Sequence, residues 1–501
     1  MLGKNSKKQI VKNMSIIGGS SFFAILIGLV KVKVLSVLLG PAGIGLMGLL
    51  MSIMAVGSTL FGMGVSASGV RQIALNEKNV ENLELVRKTL FSANCLLGLF
   101  AFMVIFFLKE TLSIYFFKNS DYQLAIIIIG LGVFFTLISG SQTALLQGFR
   151  RISELAKVNM FAALVASAIG LLSVWFFGEA SLPFFIISVP FFTCVVALFY
   201  CKKLPKLTNL SISLKQLSIQ WQSMFNLGFS FMLIAMIGVS SQLIVRNIIT
   251  QELNVESVGY FQAAWQISMT YIAFVLGAMA ADYYPRLTQQ IHNKNEANRL
   301  VNEQAELTII FSAPLLLAML AFAPFIINLL YSSDFNGSVE ILRWQVFGDV
   351  LKILSWPIAF IIAAQGRSQL CFLTELLWGS SYILFVYLGI ECYGVQITGY
   401  AFVFSYLIYL FAVYLIGWIV NDFKWTGKNI KLIIGLICAS ASLLILSYFS
   451  LASTLILGVF FVICSTVYAL NMLATLNINN RMINKVLKVY SKFQNALKFK
   501  Y

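Results

Sequence analysis

The chain is poor in almost everything soluble enzymes use. Of its 501 residues only 11% are charged, against roughly 25% in an average soluble domain. There is a single histidine, His292, in a polar loop. Seven cysteines (95, 194, 201, 371, 392, 438 and 464) show no CxxC spacing, and most lie inside apolar runs. Burial among apolar neighbours is the reading for each, not a disulfide framework or a metal site. No nucleophile–base pair and no phosphate-binding loop stands out. The loops on the side opposite the N-terminus are short too. The longest stretch on the side opposite the N-terminus runs from Lys109 to Tyr122. With no soluble domain on either side, any chemistry takes place within the membrane. The basic start, MLGKNSKKQIVKN, resembles a signal peptide, but no small-residue cleavage site leads into a soluble domain. It is read as the flank of a first membrane helix.

What is present is apolar length. Hydrophobic residues make up 59% of the chain, and mean hydropathy is +0.87. A membrane-spanning helix needs about 20 mostly apolar residues. Fourteen segments qualify, near 14–39, 44–70, 89–108, 123–147, 158–178, 183–201, 226–248, 257–283, 308–331, 341–364, 369–390, 397–420, 431–448 and 454–473. The expectation is an all-α polytopic membrane protein. Most of the 35 Lys and Arg residues fall in alternate connections, on the side of the N-terminus; Lys109 and Lys118 lie opposite. By the positive-inside rule both termini are cytoplasmic. The net charge of +16 then reflects this bias and contact with anionic lipid, not nucleic-acid binding. The basic tail, from Arg481 to Lys500, reads as an amphipathic stretch against lipid or as a docking segment.

The chain also repeats itself. Lys33, Gly45 and Arg71 recur as Arg246, Gly259 and Arg286, with spacings that agree within one residue. Six helices separate the copies, so both halves have the same orientation. Parallel repeats of this kind are a transporter architecture. The expected organisation is an N-lobe over 1–220 with helices 1–6, a C-lobe over 221–425 with helices 7–12, and two further helices with the basic tail over 426–501.

Five cations fall inside spans: Lys31, Lys33, Arg246, Arg343 and Lys352. A charge near the bilayer centre costs at least about 2.5–3.5 kcal/mol, and such residues by default mark a substrate or ion path. Lys31 and Lys33 are two apart, hence about 200° around the helix, and cannot both face one cavity. Lys33, Arg246 and Arg343 lie near helix ends, where snorkelling to the headgroups is the alternative. Lys352 is near mid-span. Asp349, three residues earlier, shares its face and is placed to pair with it; Glu375 lies inside the next helix. Buried ion pairs are poor stabilisers, so this group reads as an anion-binding cation with titratable carboxylates that carry a coupling ion. Pro357 marks a bend in the same stretch, and Pro190, Pro314 and Pro324 read as ordinary kinks. Gln262 and Gln266 form an i, i+4 polar stripe beside Tyr260 and Trp265. Amides and aromatics suit a sugar, although aromatics near a helix end are usually interface anchors.

Several stretches resemble the polysaccharide-transporter branch of the multidrug/oligosaccharidyl-lipid/polysaccharide exporter superfamily: GPAGIGLMGLL (40–50), VGYFQAAWQIS (258–268), ADYYPRL (281–287) and DVLKILSWPIAFIIAAQGRS (349–368). Within it, the chain looks like the O-antigen flippases (Wzx-type translocases). The resemblance implies two six-helix lobes around a cationic lumen in the bacterial inner membrane. The implied cargo is an undecaprenyl-diphosphate-linked oligosaccharide, moved to the periplasmic leaflet by alternating access. Diphosphate is matched by Lys33, Arg246, Arg343 and Lys352, with Lys31 a lesser candidate; Gln262 and Gln266 serve the sugar, and Asp349 and Glu375 the ion. Expected partners are the lipid-linked oligosaccharide and membrane lipids, with a polysaccharide polymerase and a chain-length regulator as protein candidates. No cofactor, metal or nucleic acid is expected. The two last spans depart from twelve-helix flippases and match the fourteen of the lipid II flippase, which leaves the sugar open. A cation-coupled drug exporter of the same superfamily would favour an acidic lumen. A membrane O-antigen polymerase would need larger exposed loops.

Overall fold

A computed structural model describes residues 2–76, 80–204 and 213–475. Among these there are only helices and their connections: α1 (Leu2–Gly62), α2 (Val65–Leu75), α3 (Val80–Phe107), α4 (Lys109–Phe117), α5 (Gln123–Gly148), α6 (Ile152–Phe177), α7 (Leu182–Cys201) and α8 (Leu214–Glu252), then α9 (Val255–Gln290), α10 (Lys294–Ala321), α11 (Ala323–Leu330), α12 (Ser338–Ala364), α13 (Ser368–Tyr393), α14 (Ile397–Asn421), α15 (Gly427–Phe449) and α16 (Leu451–Thr475). The basic tail lies outside the described residues.

Each of the fourteen expected spans falls mostly on helix, and among the described residues ten stretches are long and apolar enough to cross a membrane. Two of those, Ile152–Cys201 and Ser368–Asn421, hold two helices each. The protein is a multi-pass membrane protein. A helix such as α14, with 25 residues, is about 37 Å long, enough for a hydrocarbon core of about 30 Å.

Local chemistry explains the breaks. At Gly40 (φ 62°) the backbone leaves the helical region inside α1, and Pro41 follows; a residue with a Cβ would be strained there. Two expected spans are interrupted. The one over 44–70 breaks at Met63 and Gly64, both with positive φ. The one over 308–331 breaks at Phe322, and Pro324 is the second residue of α11 rather than a kink in a continuous helix. Proline suits that position because the first turn needs no amide donor. Polar residues set other starts: Ser213 and Gln216 form a reciprocal capping box at α8, Asn293 caps α10 and Thr426 caps α15, each satisfying amides the helix cannot.

The chain divides into two compact units. The first holds Met1–Ala263, Ile327–Gly337 and Gly379–Val395; the second holds Ala264–Ile326, Ser338–Trp378 and Gln396–Tyr501. In the first, α3 packs on α5, α7 on α5 and α6, and α1 on α6 and α8. Its core includes Val65, Ile73, Val86, Leu90, Val133 and Leu146, all essentially inaccessible. In the second, α12 packs on α14, and α10 on α12, α15 and α16. The α14–α15 connection is clasped to α10 by asparagines. Asn421 donates to Asn298 Oδ1 (2.7 Å) and Asn302 donates to the Lys424 carbonyl (3.0 Å). Asn429 donates to Asn302 Oδ1 (2.9 Å), and Lys428 pairs with Glu306 (2.5 Å). The last two helices are thus bound into the second unit.

Candidate functional site

In the first unit the notable charge is Arg246 on α8, only 4% exposed. Its Nε and Nη2 both donate to Gln262 Oε1 (3.1 and 2.7 Å), and Nη1 donates to the carbonyl and the amide oxygen of Gln242 (both 3.0 Å). The guanidinium carbon lies 5.2 Å from the centre of the Phe261 ring. Among the described residues it has no carboxylate partner. Neutral amides satisfy its donors without cancelling its charge, so the positive potential remains available to an anion.

The Gln262 side chain reaches Arg246 because the backbones of α1 and α9 touch. A Cβ on Gly45 would strike the Val255 carbonyl oxygen and come within 2.9 Å of the Gly259 nitrogen; a Cβ on Gly259 would strike the Pro41 carbonyl. Val255 precedes Gly259 by the four residues that separate Pro41 from Gly45. The contact is reciprocal, as it is wherever two equivalent surfaces meet on a two-fold axis, and it joins the two glycines paired by the sequence repeat. One turn on, Gly48 meets its own counterpart: a Cβ there would lie 2.9 Å from Gln262 Oε1. The small residue leaves room for the amide that holds Arg246.

The other cations of this unit are differently engaged. Lys33 donates to the carbonyls of Asn328 (2.8 Å) and Tyr331, at the C-terminus of α11, where a cation is favoured by the helix dipole. Lys31 lies 5.4 Å from the Phe185 ring centre. Neither stands with Arg246.

The second unit carries a buried polar stripe on α12. Asp349 is wholly buried, and Ser268 of α9 donates to its Oδ2 at 2.5 Å. Its Oδ1 has no partner among the described residues, nor has either amide atom of Gln345, one turn away, or the hydroxyl of Ser312 on α10. Tyr271 donates to the Ser312 carbonyl (3.3 Å). Lys352 continues the stripe, but its ammonium sits 3.3 Å from Met269 Sδ and 5.6 Å from the Tyr406 ring centre. The expected Lys352–Asp349 bridge is not made among the described residues. Glu375 accepts from Tyr409 at 3.1 Å. Phe402, Tyr406 and Tyr409 follow one another along α14, so Lys352 and Glu375 flank a column of aromatics. Tyr283 donates to the carbonyl of Pro357 (2.8 Å), which lies inside the continuous helix α12.

Not all candidates converge. Arg343 and Lys352 are nine residues apart on α12, hence about 180° around it, and face opposite ways. Gln262 belongs with Arg246, whereas the side chain of Gln266 is exposed and among the described residues bonds to Thr270 alone (3.0 Å), on its own helix. Sequence reasoning missed Gln242, Gln345, Ser268 and the α14 tyrosines. A signal existed for some of them: Gln242 precedes Arg246 by one turn, and Gln345, Asp349 and Lys352 recur at helical spacing on one face.

Comparison with known proteins agrees with this architecture. Residues 34–340 match the model of a family described as polysaccharide biosynthesis protein. The lipid III flippases of Escherichia coli (strain K12) and Shigella flexneri are each 24% identical over 400 residues, covering 76% of this chain and 92% of theirs. Among solved structures, the lipid II flippase MurJ in an inward closed conformation superposes with a TM-score of 0.70 at 14% identity, covering 91% of this chain and 99% of that one. An inward-facing multidrug resistance transporter of the MATE family, of the MOP superfamily, gives 0.66 at 15% identity, covering 80% and 94%. With more than half of its length matched, the chain belongs to the polysaccharide biosynthesis protein family.

Proposed function

We propose that this protein is a flippase of the bacterial inner membrane that carries an undecaprenyl-diphosphate-linked oligosaccharide, an O-antigen repeat unit or a similar glycan, between leaflets by alternating access. The observation that carries the reading is Arg246: a buried guanidinium held by amides and neutralised by no described carboxylate. A diphosphate brings about two negative charges, and such a cation suits it. Lys352, facing the aromatics of α14, is the corresponding cation of the second unit. The lipid III flippase relatives support a lipid-linked glycan as the cargo class. The reaction is transport, with no bond made or broken.

The same reading assigns ion coupling to the second unit. Asp349 Oδ1, Gln345 Oε1 and the Ser312 hydroxyl are buried oxygens without described partners, and buried polar groups are otherwise nearly always satisfied. A small cation or a proton at Asp349 Oδ1 would satisfy the carboxylate. A passing ion needs a site it can also leave, and the absence of a direct Lys352–Asp349 bridge keeps the carboxylate free for it.

The test is deletion of the gene followed by analysis of lipid-linked sugars and surface polysaccharide. Complete diphosphate-linked units accumulating while surface polymer is lost is the expected result. Normal surface polymer with increased sensitivity to cationic drugs would make it an exporter instead. Single unpolymerised units at the surface would make it a polymerase.

A further inference from the structure

At the end of the second unit where α12 and α14 begin and α15 finishes, five side chains form a group apart from the residues described above. Glu340 Oε1 accepts from both Tyr400 (2.7 Å) and Tyr448 (2.8 Å). The Trp344 indole donates to the Tyr448 oxygen at 2.8 Å, and its ring meets Tyr400 edge to face with centres 4.8 Å apart. Arg343 lies on the adjoining face of α12. It makes no hydrogen bond to the described residues, although its Nε is buried. Glu340 Oε2 likewise accepts nothing from the described residues. The two charges are three residues apart on one helix, yet they form no ion pair among the described residues.

Every neutral polar group here is already engaged: both tyrosine hydroxyls and the indole N–H are spent on one another and on Glu340 Oε1. What remains free is one guanidinium and one carboxylate oxygen, beside aromatic rings. An oligosaccharide needs several neutral donors and acceptors and finds none. A simple anion would meet Glu340, and a simple cation Arg343. A zwitterion carrying phosphate and a primary ammonium satisfies both, the phosphate on the guanidinium and the ammonium on Glu340 Oε2 and the ring faces. A quaternary ammonium has no N–H for the carboxylate.

The surroundings point to the membrane as the source. Tyr448 is 57% exposed and Phe449 beside it 82%, both at a helix end, where phospholipid headgroups meet protein and aromatic side chains gather. We propose that Glu340, Arg343, Trp344, Tyr400 and Tyr448 form a binding site for the headgroup of phosphatidylethanolamine. This goes beyond the cargo reading and gives Arg343 a ligand of its own. It also gives α15 a task, since Tyr448 closes the site.

The test uses the full-length protein in nanodiscs of phosphatidylethanolamine, phosphatidylcholine or phosphatidylglycerol, with lipid retention read by native mass spectrometry and stability by thermal unfolding. Phosphatidylethanolamine should be retained about fivefold over the other two, a preference of ~1 kcal/mol, and should raise the unfolding temperature. Arg343→Gln should erase both effects; because Arg343 holds no described partner, this change leaves the internal bonds intact. Glu340→Gln should also lose the preference for primary over quaternary ammonium, but it loosens two tyrosines, so Arg343→Gln carries the test. Equal retention of all three lipids, or an undiminished preference in Arg343→Gln, overturns the proposal. Equal protection by water-soluble glycerophosphoethanolamine would make the ligand a solute and end the membrane assignment. Protection by lipid-linked oligosaccharide alone would return the cluster to the cargo.

Discussion

Replacing Gln262 by glutamate separates the charge of Arg246 from its packing. The amide oxygen of Gln262 accepts two bonds from the guanidinium, at 3.1 and 2.7 Å. Glutamate has the same shape and keeps both, but adds a negative charge about 4 Å from the centre of the cation. At an effective dielectric constant of 20 that attraction is about 4 kcal/mol. A diphosphate relying on Arg246 must now compete with it, which weakens binding by ~10²–10³-fold at a factor of ten per ~1.4 kcal/mol. Gln262→Glu should therefore fold and resist heat at least as well as the parent while losing nearly all glycan export. Gln262→Ala should do the reverse: it removes two bonds to a charged donor, about 1.5–3 kcal/mol each, and lowers the unfolding temperature while leaving the cation in place. The assay is surface polysaccharide and accumulated lipid-linked units in a deletion strain carrying each variant at matched membrane levels, beside thermal unfolding of purified protein. Full export by Gln262→Glu would refute Arg246 as the cargo's cation.

Gly45→Val should abolish export, because the side chain strikes Val255 and Gly259 and overpacking costs about 1–3 kcal/mol or more. Gly28→Val, with nothing within 4 Å, is the control, and equal export from both variants would count against the crossing. Asp349→Asn can keep its bond to Ser268 yet cannot titrate, so export should lose its dependence on pH or on the cation gradient while the unfolding temperature holds; an unchanged dependence in everted vesicles sinks the coupling assignment. Lys33→Met should lower the stability of purified protein by ~0.3–2 kcal/mol, the range for a cation at a helix C-terminus, with Lys33→Arg restoring it. Loss of export at unchanged unfolding temperature would instead place Lys33 with the cargo.

The spans were legible because lipid imposes length and apolarity on every crossing segment, and the registration of Gly45 with Gly259 was legible because the two follow a cation at distances that agree within one residue. The partners of the charges were not. Whether Lys352 meets Asp349 three residues away or Met269 on another helix depends on rotamers and packing that spacing alone leaves open. Lys33 has the same composition signature as a cargo ligand, and only the end of α11 at Leu330 shows that it bonds backbone carbonyls there. Tyr406 and Tyr409 went unnoticed because hydropathy treats a tyrosine in a core and one at the headgroups alike.

The reciprocal crossing has a historical consequence. Had the two halves begun as identical chains in a dimer, the residue now at positions 48 and 262 would have faced its own copy across the axis. Two glutamines cannot share that spot, since even a methyl group at Gly48 would press on the amide of Gln262. Two glycines would leave the Nε and Nη2 of Arg246 without their acceptor. The arrangement of one vacancy filled by one amide is open only where the two copies are free to diverge. On that reading the buried cation would be a product of lost symmetry, a single unequal pair beside the crossing making room for a charge.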